Sequence, residues 1–347
     1  MPTTIRLRHS ISLHRNALIT LPNVRSVTSG IPLPRKSRLA RTTSVAPMID
    51  VTNPHFLHLL RLISSSHTLY SEMVHANAII KNAPSPSSPA SLYRFIGDPH
   101  PDTVVQLGGS DPEQMARAAK IVEQVGFGEV NVNVGCPSDR VQVRGSAHLL
   151  PYQYILASME RTAAFRAQHG CFGVVLMKTP DRVASILDAM HAHGVHIPVT
   201  VKCRIGVDDL DSYEYLCHFV RHLIPVLPIK FRIRKPSSTK HFSSIPTQLS
   251  TLLRSSLPPT HVIVHARKAW LHGLSPKQNR TVPPLDYERV WRLAKEFHGL
   301  VVTANGGFDT VEKVRSGLER CDGIMIGRKG RLLRWWSFEE KGMGMGR

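Results

Sequence analysis

The first 44 residues of this 347-residue chain contain no aspartate or glutamate, and the first acidic residue is Asp50. The same segment holds eight Lys and Arg residues and no compact apolar stretch of the kind that secretory signals carry. This composition predicts that residues 1–43 are a disordered basic leader, a transit peptide for a plastid or a mitochondrion. A basic tail on a cytoplasmic protein is the alternative.

The chain also lacks any run of about 18 apolar residues, so the sequence predicts no membrane-spanning helix and no membrane partner. Its mean hydropathy of −0.12 and its 42% hydrophobic content are typical of water-soluble proteins. Cysteine is scarce, and none of the five cysteines forms a C-x-x-C pair. We therefore expect free thiols in a reducing compartment and no metal site.

Acidic residues are few throughout the chain. There are 25 Asp and Glu against 44 Lys and Arg, which gives a net charge of +19. Removing the eight charges of the leader still leaves +11 on the rest of the chain. Such a field favours a polyanionic partner, with nucleic acid first and an anionic membrane surface second.

Eight short strand-like runs follow the leader, and helical patterns separate several of them. The runs are Ser44–Met48, Thr68–Met73, Thr103–Leu107, Glu129–Val134, Ile197–Lys202, His261–His265, Leu300–Ala304 and Gly323–Ile326. The clearest helical patterns are Pro112–Val125, Asp181–His193 and Tyr287–Phe297. Strands that alternate with helices form parallel βαβ units, and eight units predict an α/β protein with a (β/α)8 TIM barrel over residues 44–328.

Cys136 stands at the tip of the fourth run, directly after Gly135. In a barrel of parallel strands, catalytic groups lie at the carboxyl ends of the strands. A thiol there can donate or accept a proton, or attack an electrophile. The alternative interpretation is a small buried residue that happens to follow a strand.

Other strand ends carry groups that suit a flavin and its phosphate. Asn305-Gly306-Gly307 and Gly327-Arg328 offer backbone N–H groups and a guanidinium, which favours a phosphate site at the last two strands. The amide of Gln106 suits the edge of a flavin-like ring, and Lys202 could stabilise negative charge on a reduced ring. His265 can donate to a phosphate or to a ring oxygen.

Eight stretches around these positions resemble the tRNA-dihydrouridine synthase family, and most closely its A-type subfamily with that subfamily's organellar relatives. The stretches are APMIDVT (46–52), LYSEMVHANAI (69–79), VVQLGGSDP (104–112), EVNVNVGCPSDRVQ (129–142), IPVTVKCRIGVDDLDSYEYL (197–216), VIVHARKAWLHGLSPKQNRTVPPLDYERV (262–290), ANGGF (304–308) and DGIMIGR (322–328).

The resemblance implies an FMN-binding barrel that reduces D-loop uridines of tRNA, at positions 20 and 20a, with NADPH as reductant. Cys136 would be the general acid, giving a proton to uracil C5 while hydride passes from FMN N5 to C6. Asn133 would orient the uracil, and tRNA would lie against Arg267, Lys277 and Arg280. The implied FMN contacts are Pro47, Met48, Ile49, Gln106, Lys202, His265, Asn305, Gly306, Gly307, Gly327 and Arg328. We expect a monomer.

Three departures from the family pattern stand out. Residues 143–169 and 223–259 read as inserts, and the irregular tail 329–347 stands where the family has a C-terminal helical domain. We interpret the inserts as translated non-coding sequence and the tail as a shifted frame or premature end; a transcript containing all three would refute this.

Two other functions stay open at this point. One is an FMN barrel oxidoreductase that acts on a small pyrimidine, against which the HARKAW and SPKQNR segments and the basic charge argue. The other is a truncated pseudoenzyme or RNA-binding remnant. Bound flavin would separate the enzymes from the remnant, and salt-sensitive tRNA binding would separate the two enzymes.

Overall fold

Eight parallel strands form a closed barrel in their order along the chain in the computed structural model of the protein. They are β1 (Thr43–Val45), β2 (Thr68–His75), β3 (Thr103–Gly108), β4 (Glu129–Val134), β5 (Val199–Arg204), β6 (His261–His265), β7 (Val301–Asn305) and β8 (Gly323–Ile326). Pairing of Val45 in β1 with Ile326 in β8 closes the ring. The predicted (β/α)8 barrel is therefore confirmed.

The structure describes residues 43–63, 67–84, 92–137, 172–224 and 261–331. The segment 143–169 lies outside the described residues. So do the leader up to residue 42, the segment 225–259 and the tail from residue 332, so the predictions for these parts of the chain stay predictions.

Eight α-helices lie among the described residues. They are α1 (Pro54–Ile63), α2 (Ala76–Lys81), α3 (Tyr93–Ile96), α4 (Pro112–Gln124), α5 (Pro180–Ala192), α6 (Tyr213–Leu223), α7 (Tyr287–Glu296) and α8 (Val311–Leu318). Short 3-10 helices span Gly173–Lys178, Gln278–Arg280 and Arg328–Arg331. No helix in these ranges is long and apolar enough to cross a membrane.

Helix α4 shows how the sequence builds this outer layer. Asp111 accepts a hydrogen bond from the Gln114 N–H at 2.8 Å, and Pro112 occupies the first turn, so the helix begins where its pattern predicts. Its apolar stripe, which includes Met115, Ala119 and Val122, is fully buried. Each such side chain contributes on the order of 1–3 kcal/mol on burial, and the stripe fastens α4 to the strands.

Prolines explain two differences between predicted and observed strands. Strand β1 ends at Val45 because Pro47 has no N–H to continue the ladder. Strand β5 begins at Val199, after Pro198, and runs to Arg204. Strand β2 continues to His75 through an irregular register. Strand β7 and the predicted helix ends differ by one residue, which is ordinary for element boundaries.

A small apolar cluster shows which side chains face the inside of the barrel. It consists of Ala46, Tyr70, Val104, Ile263 and Met325, which come from five different strands or their ends. Strands β3 and β6 are not neighbours, so Val104 and Ile263 can share this cluster only across the interior. Side chains alternate along a strand, so residues two positions further toward the carboxyl end also point inward, at the mouth.

Candidate active site

Four hydrogen bonds hold the turn that carries Cys136, one of them from the Gly135 N–H to Asn133 Oδ1 at 3.2 Å. The Cys136 N–H donates to Asn133 Oδ1 at 3.0 Å, and the Cys136 carbonyl accepts from the Val174 N–H at 2.9 Å. The Gly135 carbonyl accepts from Arg204 Nε at 2.9 Å. The backbone is thus fixed on both sides of the thiol, and the half-buried Cys136 lies at the carboxyl end of β4.

Arg204 is a central residue that the sequence analysis did not assign. Its side chain is 4% exposed, and Nη1 donates to the Asn279 carbonyl at 2.8 Å and to the Lys268 carbonyl at 3.1 Å. One guanidinium therefore ties the Cys136 turn to the segment after β6. Burial lowers the pKa of Arg204 to about 10, and the nearby Cys136 opposes that shift. The sequence contained one indication of this role, because side-chain alternation places Arg204 on the same face of β5 as Thr200 and Lys202.

Asn279 holds the segment after β6 together through its side-chain hydrogen bonds. Like Arg204, it was not assigned a role from the sequence. It is fully buried, and Oδ1 accepts from the Trp270 N–H at 2.8 Å. Its Nδ2 donates to the carbonyls of Trp270 at 2.9 Å and Leu274 at 3.1 Å. These bonds close the loop on which Lys277 and Arg280 stand, and both of those side chains are exposed. The SPKQNR motif thus combines one structural amide with two outward cations.

Lys202 points into the barrel mouth from β5. Burial lowers its pKa to about 8, with the charge of Arg204 acting in the same direction and Cys136 in the opposite one. None of the ion pairs between described residues includes Lys202. An enclosed cation without a carboxylate partner favours an anionic ligand beside it.

His265 ends β6 with a buried polar atom that lacks a partner. Among the described residues, nothing hydrogen-bonds its Nδ1. Burial, reinforced by the charges of Arg204 and Lys202, holds the pKa of His265 well below its usual range, so the imidazole is neutral at pH 7. A neutral imidazole with an unpaired buried nitrogen fits a ligand that supplies a donor or an acceptor.

The glycines of the last two strands are constrained in different ways. Gly306 and Gly307 have φ of 104° and 74°, a region that favours glycine. A Cβ on Gly307 would lie 2.5 Å from Tyr287 Oη, whose hydroxyl donates to the Gly306 carbonyl at 2.6 Å. A Cβ on Gly327 would meet nothing within 4 Å. The protein's own packing therefore explains Gly307, whereas Gly327 borders open space that a ligand can fill.

Three guanidinium groups share the rim beyond these glycines. Burial lowers the pKa of Arg267, and the charge of Arg328 lowers it further. Arg280 is exposed at its surface side, but partial enclosure of its guanidinium and the charge of Arg328 lower its pKa, and Cys136 opposes this shift. Arg267 donates through Nη1 to the Pro283 carbonyl, while its Nε is buried without a hydrogen-bond partner among the described residues. Mutual repulsion of this kind marks a place prepared for anions.

The predicted amides of β3 and β4 bond to each other. Asn133 Nδ2 donates to Gln106 Oε1 at 2.7 Å, and Gln106 Nε2 donates to Asn131 Oδ1 at 2.8 Å. Gln106 keeps one amide hydrogen and one lone pair for a ligand. Asn133 Oδ1 also accepts hydrogen bonds from the Cys136 turn, which is its observed role. Its role in orienting uracil stays a prediction.

The remaining predicted positions lie at the start and end of the barrel. Met48 packs against the interior cluster, and its N–H donates to Thr52 Oγ1 at 2.9 Å. Pro47 is half-buried beside it, while Ile49 is 51% exposed on the same loop. Asn305 is buried, and its Nδ2 donates to the Met325 carbonyl at 2.8 Å. These residues frame the mouth without contributing charge.

These features fit the FMN that the sequence resemblance implies. The unpaired His265 nitrogen and the unpaired Lys202 cation lie on neighbouring strands, and Gly327 opens onto free space beside Arg328. A planar ring with an anionic phosphate needs a hydrogen-bonding nitrogen, a cation, and open space beside a guanidinium. The described residues contain no group of three or more His, Cys, Asp or Glu that could hold a metal ion.

Comparisons with known proteins show the family to which this barrel belongs. The family model described as dihydrouridine synthase matches residues 44–160, 164–224 and 259–340. A tRNA-dihydrouridine(20/20a) synthase of Shewanella oneidensis is 38% identical over 291 residues, covering 84% of this chain and 68% of the relative.

Two further relatives with the same name give similar values. The Pasteurella multocida protein is 41% identical over 287 residues, covering 82% of this chain and 68% of the relative. The Escherichia coli K12 protein is 37% identical over 302 residues, covering 87% of this chain and 69% of the relative. The chain belongs to the dihydrouridine synthase family, and it spans about two thirds of the length of these relatives.

Proposed function

We propose that this chain reduces uridine to 5,6-dihydrouridine in tRNA, at positions 20 and 20a, with FMN as cofactor and NADPH as reductant. Members of the family are flavin-dependent oxidoreductases that act on tRNA uridines. The names of the relatives support the two positions. The observation that carries the proposal is a cysteine on a turn that four hydrogen bonds hold beside the cations of a barrel mouth.

The residues that would hold FMN divide by chemistry. The phosphate would bind at Gly306, Gly307 and Gly327 with Arg328, where backbone N–H groups and a guanidinium are available. The ring would meet Gln106, Lys202 and His265, with Pro47, Met48, Ile49 and Asn305 around it. Bound FMN supplies the hydride that uracil C6 receives.

Cys136 supplies the matching proton. Its Sγ–H bond breaks as a C5–H bond forms on uracil, so that hydride and proton together saturate the C5–C6 double bond. A thiol with an unperturbed pKa near 8.5 is mostly protonated at neutral pH and can act as an acid. The hydrogen bonds of Asn133, Val174 and Arg204 keep the thiol at one place at the mouth, which a proton transfer of fixed geometry requires.

The tRNA would approach the rim, where Arg267, Lys277 and Arg280 stand. The target base is enclosed in folded tRNA, so it must leave its stack to reach the mouth. Phosphate contacts supply most of the affinity of such complexes, and the net charge of +11 outside the leader provides the field. Binding should therefore weaken steeply as salt rises.

We also propose that the chain is located in a plastid or a mitochondrion, because its first 44 residues are basic and free of acid. We further propose that it works as a monomer. Imaging the full chain with a fluorescent protein at its C-terminus tests the location. Diffuse cytoplasmic signal would contradict it.

The reaction is tested with flavin-loaded protein, NADPH and unmodified tRNA under anaerobic conditions, with dihydrouridine measured by mass spectrometry. Wild-type protein should form dihydrouridine. Cys136→Ala should bind flavin and tRNA normally and form almost none. Flavin that NADPH reduces without any dihydrouridine appearing would refute the proposed substrate, and protein that takes up no flavin would refute the cofactor.

A further inference from the structure

A chain of hydrogen bonds runs down the barrel interior from the Cys136 turn to the amino end of β4. Below Asn133, Gln106 and Asn131, the Asn131 Nδ2 donates to Thr200 Oγ1 at 2.9 Å. The Thr200 hydroxyl in turn donates to Glu129 Oε1 at 2.7 Å. Glu129 and Asn133 are four residues apart on one strand, which is roughly 13 Å along β4.

The groups at the two ends of this hydrogen-bond chain fix the orientation of every side-chain amide within it. At the top, the N–H groups of Gly135 and Cys136 can only donate, so Asn133 must present its carbonyl oxygen to them. At the bottom, the Thr200 hydroxyl donates to Glu129 Oε1 at 2.7 Å, and Thr200 also hydrogen-bonds Tyr70.

Each amide between these ends then has a single orientation that satisfies all its neighbours. Tyr70 also hydrogen-bonds Glu129 and is 1% exposed, so the carboxylate has a second donor in the dry interior. Hydrogen bonds in such a chain polarise and reinforce one another.

We propose that Thr200 and Glu129 are positioning residues for Cys136, which set the orientation of the Asn133 amide through Gln106 and Asn131. Removing the Thr200 hydroxyl leaves Asn131 Nδ2 without its acceptor, so the amides above can rotate. The Asn133 carbonyl then accepts from the Gly135 and Cys136 N–H groups with a less rigid network behind it, and the turn loosens. The catalytic consequence rests on the proposed function; the effect on the turn does not.

The test compares three variants of the full flavin-loaded protein. Thr200→Val removes the hydroxyl and keeps the shape, and Thr200→Ser restores the hydroxyl. Thr303→Val is the matched control, because Thr303 is another buried barrel threonine, 6% exposed, whose hydroxyl bonds His261 at 2.8 Å instead of this chain. The readouts are amide hydrogen exchange at Gly135 and Cys136 and the rate at which iodoacetamide alkylates Cys136.

Thr200→Val should speed exchange at Gly135 and Cys136 roughly fivefold, the factor that one net hydrogen bond gives. It should also change the Cys136 alkylation rate and lower kcat for dihydrouridine without changing KM for tRNA, whereas Thr200→Ser and Thr303→Val should behave like wild type. Equal exchange in Thr200→Val and Thr303→Val would overturn the proposal.

Thr200→Ala serves if Thr200→Val does not fold. If both unfold the barrel, the proposal also fails, because the hydroxyl would then serve the fold as a whole. Exchange and alkylation need neither tRNA nor reductant, so failure of the proposed reaction leaves these two readouts intact.

Discussion

Replacing Arg204 with lysine separates the charge of this side chain from its geometry. The guanidinium donates to three backbone carbonyls, on Gly135, Lys268 and Asn279, that lie on two different segments. A lysine ammonium keeps the charge, but its donors radiate from one atom and cannot reach both segments. We therefore expect Arg204→Lys to keep one of the three hydrogen bonds.

The cost follows from the burial of this site. A hydrogen bond from a charged group contributes about 1.5–3 kcal/mol, so losing two at the lower end of that range costs about 3 kcal/mol. Urea unfolding of Arg204→Lys should show this loss, with an unchanged slope because the surface exposed on unfolding is the same. Alkylation of Cys136 should also change, since the Gly135 carbonyl has lost its anchor.

Arg117→Lys on the exposed face of α4 is the control, and it should stay within about 0.5 kcal/mol of wild type. If Arg204→Lys is as mild as this control, the buried guanidinium does not hold the Cys136 turn. The structural link between β5 and the Cys136 turn would then have to be abandoned.

Three further predictions concern the ligands. Because the pKa of Lys202 is lowered to about 8, its ammonium is present below pH 8 and lost above it. FMN affinity, measured by calorimetry, should therefore fall by about tenfold as the pH rises from 7 to 9.5. Gly327→Ala should leave the unfolding temperature unchanged but weaken FMN binding at least about tenfold, whereas Gly307→Ala should destabilise the fold by more than about 1 kcal/mol. In Arg280→Ala, the plot of log tRNA affinity against log salt concentration should be less steep by about one unit of slope.

Each of these predictions has a contradicting result. Lys202→Met should abolish the pH dependence, so a dependence that survives in this variant would assign it to another group. Normal FMN binding by Gly327→Ala would place the phosphate elsewhere. An unchanged salt slope in Arg280→Ala would remove Arg280 from the tRNA surface.

Much of the fold could be predicted because strand periodicity and parallel connection are local properties. Strands β4, β6 and β8 have the predicted bounds, since β4 alternates cleanly and β6 and β8 are short apolar runs that end at a turn. Strands β1 and β5 differ because apolar residues such as Ile197 and Met48 lie beside prolines, which stop the ladder although the hydrophobic pattern continues.

The candidate site was harder to predict because its supports depend on which strands are neighbours. The order of strand ends suggested Cys136, Lys202 and His265, and the structure brings them to one mouth. Arg204 and Asn279 act through backbone carbonyls far away in the sequence, which no local pattern specifies.

One signal for the interior chain was nevertheless present in the sequence. Glu129, Asn131 and Asn133 occupy every second position of β4, so one face of a buried strand is entirely polar. Buried polar side chains need partners, and such a face predicts a hydrogen-bonded network.

The central claim is tested most directly in cells that lack their own tRNA-dihydrouridine(20/20a) synthase. The full chain and its Cys136→Ala variant are expressed there at equal levels, and dihydrouridine is mapped along purified tRNA. We predict that the wild-type chain restores dihydrouridine at positions 20 and 20a and that Cys136→Ala does not. If flavin-loaded wild-type chain accumulates and both positions stay uridine, the account of this barrel as a tRNA-modifying enzyme is wrong.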